Sequence, residues 1–130
     1  MADAPRSAQL IAVVDDDRLV REAVEELLCS VGYDAKGFGS ADAFLASPSR
    51  GAVDCIVADI QMPGRSGLEL QALLAAEPNT PPIIFLTGLP EADARRRAAA
   101  ASSLCCLSKP IVPEELIRCI EDALVEAGRG

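Results

Sequence analysis

The sequence predicts a three-layer α/β sandwich in which a five-stranded parallel sheet is flanked by five helices, and three observations carry that prediction. Short apolar runs alternate with longer amphipathic segments along the chain, the pattern of strand-helix units joined by right-handed crossovers. The runs place Ile, Val and Leu at consecutive rather than alternate positions, as strands buried on both faces do. Each run but the second is followed at once by polar residues, and in a parallel sheet such ends share one rim, where these folds bind ligands.

The bulk composition fits one domain. A chain of 130 residues can bury about two thirds of its unfolded surface without disulfide or metal. No apolar run approaches the roughly 20 residues of a membrane span, and residues 1–8 lack the apolar core of a signal peptide, so a cytoplasmic protein without membrane association is expected. The net charge of −8 and pI near 4.4 argue against this domain gripping nucleic acid itself. Five cysteines without a Cys-x-x-Cys pair, in a chain with no histidine, exclude an ordinary zinc site and are read as reduced, mostly buried small residues. The expected organisation is a disordered tail over residues 1–8, a single domain over 9–127 and a frayed end at 128–130.

Taken in order, residues 9–14 form a buried strand, and Asp15-Asp16-Asp17 follows it. One of these acids can cap the next helix. That helix carries Val20, Val24, Leu27, Leu28 and Val31 on one face, with Arg21, Glu22, Glu25 and Glu26 on the other, and Gly32 ends it. Residues 33–38 alternate weakly, as an edge strand would. Ser40 opens a short helix closed by Pro48-Ser49-Arg50-Gly51. Residues 55–58 form the third strand and deliver Asp59, with a Pro63-Gly64 break beyond it. A helix over 66–76 offers Leu68, Leu70, Leu73 and Leu74. Residues 83–86 form the fourth strand, ending at Thr87-Gly88. The segment 90–101 has strong helix formers and Arg95-Arg96-Arg97 but little apolar periodicity, so the least anchored helix is expected there. Residues 104–107 form the fifth strand, before Ser108-Lys109-Pro110. The last helix starts at Pro113 and turns Leu116, Ile117, Ile120 and Leu124 inward.

Singly, the polar strand ends have ordinary explanations: helix caps, a turn hydroxyl, a solvated lysine. Jointly, the topology brings an acidic cluster, Asp59, Thr87 and Lys109 to one rim, and that convergence is the functional signal.

These residues resemble the receiver domains of two-component response regulators. The motifs that carry the resemblance are Val14-Asp15-Asp16-Asp17, Asp59 with Met62-Pro63-Gly64 and Ser66-Gly67, Leu86-Thr87-Gly88, and Ser108-Lys109-Pro110. The resemblance implies a flavodoxin-like fold with strand order 2-1-3-4-5. It implies Asp59 as phosphoacceptor for a histidine kinase or phosphotransfer protein, with Thr87 and Lys109 contacting the phosphoryl group. It implies Mg2+ held directly by Asp16 and Asp59, by Asp15 through water, and by the main-chain carbonyl of Gln61. A cis Lys109-Pro110 peptide and movement of the helix near Arg95 are further implications. So is a homodimer through the last two helices and the fifth strand. The only catalysis implied is self-phosphorylation and self-dephosphorylation. The chain is expected to be either a stand-alone receiver or the amino-terminal piece of a longer regulator, the transcriptional kind being favoured by the loop after Asp59 and the Asp59-to-Lys109 spacing, and Gln61 and Leu89 stand where the family tunes acyl phosphate lifetime.

The chain departs from the family at two places. Receivers commonly carry Phe or Tyr three residues before the lysine, where this chain has Cys106, and a Gly-Ala pair where it has Ser102-Ser103. Cys106 fits either a small core residue in a receiver that signals by helix and loop movement or a receiver whose output surface ignores phosphate. The second is the alternative function: a phosphate-insensitive interaction or dimerisation module. A redox input through Cys105 and Cys106 lacks any neighbouring base, and an independent enzyme lacks a P-loop or an Asp-x-Asp-x-Thr signature.

Overall fold

A computed structural model of the chain describes residues 9–62, 64, 66–78, 80–88 and 105–128. Its strands are β1 (Leu10–Val14), β2 (Asp34–Phe38), β3 (Cys55–Asp59), β4 (Ile83–Thr87) and β5 (Cys105–Ser108). They form one parallel sheet in the order β2-β1-β3-β4-β5. The α-helices among the described residues are α1 (Arg18–Ser30), α2 (Ala41–Leu45), α3 (Gly67–Ala75) and α4 (Pro113–Glu126), with a 3-10 turn at Arg50–Ala52. The helix expected over 90–101, with Arg95-Arg96-Arg97, lies outside the described residues, as do Leu89, Ser102-Ser103, the tail 1–8 and residues 129–130.

The pleat divides the core between two faces, because successive side chains of a strand point to opposite sides. Ala12, Val14, Ile56, Ala58 and Phe85 face one side and pack with Phe44 of α2 and Leu70 and Leu74 of α3. Ile11, Val13, Val57, Ile84 and Leu86 face the other, against Val24 and Leu28 of α1 and Leu116, Ile120 and Leu124 of α4. Each fully buried Val, Leu, Ile or Phe among them stabilises the fold by about 1.5–3 kcal/mol. β3 and β4 are buried throughout, whereas β2 at the edge is buried only at Phe38.

The local signals act as expected at both ends of α1. Asp17 is its N-cap, its carboxylate accepting from the N–H groups of Leu19 and Val20. Gly32 follows α1 at φ +99, a backbone that glycine adopts without steric cost. Ser66 caps α3 in a reciprocal box with Glu69. Two apolar positions differ from the sequence pattern: Leu73 is 42% and Val31 49% exposed. Leu73 and Leu74 are adjacent on a helix turning 100° per residue, so only Leu74 meets the sheet.

The cysteine reading also needs correction. Cys55 is buried and Cys106 half-buried, neither in a disulfide, whereas Cys29, also reduced, is exposed. Cys119, half-buried beside the α1 and α4 core, is disulfide-bonded rather than reduced. Sequence spacing could not show this, because pairing depends on where the Cβ vectors point in three dimensions. No helix among the described residues is long and apolar enough to cross a membrane.

Candidate functional site

Parallel register assembles the site. Val14 pairs with Ala58, so the next residues, Asp15 and Asp59, emerge side by side from β1 and β3. Thr87 pairs with Ser108, and the N–H of Lys109 donates to the Thr87 carbonyl at 2.8 Å, placing the lysine beside the end of β4. Carboxylate oxygens of Asp15, Asp16 and Asp59 all lie within 4.8 Å of one another. Lys109 Nζ donates to Asp59 Oδ2 at 2.9 Å.

The acids differ in burial. Asp15 and Asp59 are buried, at 1% and 5% exposure, while Asp16 reaches solvent. Because Asp17 serves as the helix cap, the two acids before it are left for the cluster. Asp15 is held at several points: its N–H donates to the Phe38 carbonyl at 3.0 Å and its Oδ1 accepts from the Asp17 N–H at 2.8 Å. Burial raises its pKa, an effect that outweighs the lowering by the Asp17 N–H and by Lys109. For Lys109, burial alone would lower the pKa, but the hydrogen bond to Asp59 and the charges of Asp59 and Asp15 hold the ammonium above its usual range.

Asp15 Oδ2 is buried and makes no hydrogen bond, although Lys109 Nζ stands 3.2 Å away. The pair is a charge contact without hydrogen-bond geometry, so this oxygen remains an open acceptor. Such an orphan, beside two further carboxylates, fits a hard divalent cation: among the described residues, oxygen donors outnumber the Lys109 ammonium, and like charges crowd without a cation.

The loop after β3 is tied to the same carboxylate. The Gln61 N–H donates to Asp59 Oδ1 at 3.0 Å, and Gly67 N–H donates to the Ile60 carbonyl at 3.1 Å. Gly64 takes φ +77 in the turn between them. Thr87 is fully buried at the end of β4. The Lys109-Pro110 peptide is cis.

Residues 11–121 match the sequence profile of the response regulator receiver domain. The chain belongs to the response regulator receiver domains. The receiver is 36% identical over 117 residues to the response regulator protein TodT of Pseudomonas putida, covering 90% of this chain and 52% of that protein. It is 32% identical over 117 residues to the transcriptional regulatory protein FixJ of Bradyrhizobium diazoefficiens, covering 90% and 57%. A solved response regulator receiver protein from Burkholderia phymatum superposes with TM-score 0.79 at 39% identity, over 90% of this chain and 95% of that one. The chain thus spans about half the length of the curated relatives it matches.

Two contacts around the receiver's acidic cluster are not written in the motifs, although Gly67 itself belongs to the Ser66-Gly67 motif. Arg21 donates through Nη1 to the Asp15 carbonyl at 2.8 Å, although its place on the polar face of α1 suggests a solvated charge. Gly67 lies directly against the Asp59 main chain. The available signal was a glycine at the first position of a helix, where nothing local demands one. Cys106, three residues before Lys109, is half-buried against the α2 and α3 side of the core.

Proposed function

We propose that this receiver accepts a phosphoryl group on Asp59 from a phosphohistidine of a histidine kinase or phosphotransfer protein. It would act in the cytoplasm and, as part of a longer regulator, switch transcription. The observation that supports this most directly is the buried Asp59 carboxylate, 2.9 Å from Lys109 Nζ and grouped with the carboxylates of Asp15 and Asp16.

Phosphoryl transfer asks little covalent work of the protein beyond a nucleophile, and much positioning and charge neutralisation. Asp59 is the nucleophile: its carboxylate oxygen forms the bond to phosphorus as the phosphorus–nitrogen bond of the donor breaks, and the imidazole leaves. The Gln61 N–H and the Lys109 ammonium hold that carboxylate in one orientation. Lys109 then follows the growing charge onto a phosphoryl oxygen, and the Thr87 hydroxyl binds another. Asp15, Asp16, Asp59 and the Gln61 carbonyl would hold Mg2+, which supplies neutralisation of the transferring group when bound. The product adds about −1.5 to −2 charge and three acceptor oxygens, enough to redraw the Thr87 loop. Turnover is confined to the receiver's own phosphorylation and dephosphorylation.

A solution NMR titration with beryllofluoride and Mg2+ tests the reading. Amide shifts at the ends of β1, β3, β4 and β5 are expected only when both are present. Equal binding of beryllofluoride with Mg2+ removed by chelator, or none in its presence, overturns the reading.

A further inference from the structure

Arg21 rises from α1 beneath the edge strand rather than into solvent. Its Nη1 donates to the Asp15 carbonyl at 2.8 Å, and its stem crosses Gly37 of β2. A Cβ on Gly37 would stand 2.9 Å from Arg21 Cγ, Arg21 Cδ and Glu25 Oε2 alike, and a Cβ on Gly39 3.6 Å from Arg21 Nη1. The backbone at Gly37 therefore leaves a lane without a side chain of its own, and the arginine stem fills it together with the Glu25 carboxylate. Asp15 is 1% exposed, so water has little access to replace a lost donor.

We infer that Arg21, crossing Gly37, is a positioning residue that fixes the acidic loop for cation binding. The inference rests on the proposed function. With its N–H on Phe38, its carbonyl on Arg21 and its Oδ1 on the Asp17 N–H, Asp15 has one polar atom without a hydrogen bond, Oδ2, and that atom faces the cluster. Removing the guanidinium lets the buried carbonyl seek water, and the turn that carries Asp15 and Asp16 moves with it. A planar guanidinium on a long stem suits this reach, and an ammonium reproduces it only in part.

Mg2+ affinity, read from amide shifts on the folded protein, tests this, because a uniform loss of stability does not move a binding constant measured on the native species. Arg21→Met keeps most of the stem over Gly37 and removes the donors; it is expected to weaken Mg2+ binding about tenfold. Arg21→Lys should recover part of that loss. Gly37→Ala keeps the arginine but closes its lane, and should weaken Mg2+ in the same direction, which preserves the test if Arg21→Met folds poorly. Arg18→Met, whose side chain pairs with Glu22 in solvent, should bind Mg2+ as wild type does. A wild type that binds Mg2+ beside Arg21→Met and Gly37→Ala variants that bind it equally tightly overturns the role of Arg21 alone. A wild type that takes no Mg2+ overturns the proposed function, and this inference with it.

Discussion

Gly67 lies against Asp59 so closely that a Cβ on it would collide with the Asp59 carbonyl oxygen and stand 3.1 Å from the carbonyl carbon. The first turn of α3 thus supports the candidate phosphoacceptor from beneath, backbone against backbone. Gly67→Ala cannot be absorbed by a rotamer change, since the obstructing atoms are main chain. The expected cost is about 1–3 kcal/mol of stability by urea denaturation, accompanied by weaker Mg2+ binding as Asp59 shifts. An alanine variant with wild-type midpoint and wild-type Mg2+ affinity would contradict the contact.

Lys109 neutralises the buried face of the acidic cluster, 2.9 Å from Asp59 and 3.2 Å from Asp15. Lys109→Met leaves these carboxylates facing one another, and should lower stability by about 1–3 kcal/mol at neutral pH without Mg2+. Adding Mg2+ should raise the Tm of the variant more than that of wild type, since the cation replaces the missing positive charge and binds only the folded form. Equal Tm shifts in thermal melts would show that the lysine and the cation do not share a site.

Burial pushes the Cys106 thiol above the ordinary range. Because ionisation of a thiol creates charge, a raised pKa keeps the unreactive protonated form up to higher pH. In a Cys29→Ser background, alkylation of Cys106 by iodoacetamide should be slow near neutrality and accelerate only at a pH above that of a free thiol in solution. In the unmodified protein the exposed Cys29 should react first. A Cys106 that reacts first, with an acid-shifted profile, would revive a redox role.

Ser66 and Glu69 close the N-terminus of α3 reciprocally, Ser66 Oγ accepting from the Glu69 N–H at 3.1 Å and Glu69 Oε1 from the Ser66 N–H at 2.8 Å. Ser66→Ala should cost about 1 kcal/mol, measured by urea denaturation, with Ser66→Asp recovering most of it. A midpoint unchanged by Ser66→Ala would show that packing alone sets the start of α3.

Much of this was legible because burial writes itself plainly into parallel strands. The Ile, Val and Leu runs of β1, β3 and β4, the weak alternation of β2 and the polar residues after each run together place Asp15, Asp59, Thr87 and Lys109 on one rim. What escaped depends on direction rather than pattern. Leu73 and Leu74 are equal in a hydropathy trace, yet one helical step separates solvent from core. Asp17 could not be told from Asp15 or Asp16 as the cap until the backbone turned. Arg21 carries the same charge as a solvated arginine, and only the missing Cβ of Gly37 shows where its stem runs. The bond at Cys119 depends on geometry that spacing does not encode.

The central claim is that Asp59 is the phosphoacceptor, and intact-mass measurement after incubation with a small-molecule phosphodonor tests it most directly. Wild type with Mg2+ should gain a single phosphoryl group, lose it under mild base as an acyl phosphate does, and gain none when Mg2+ is chelated. Asp59→Asn should gain none under any of these conditions. A phosphoryl group on Asp59→Asn, or a folded wild type that stays unmodified with donor and Mg2+ present, would contradict the account.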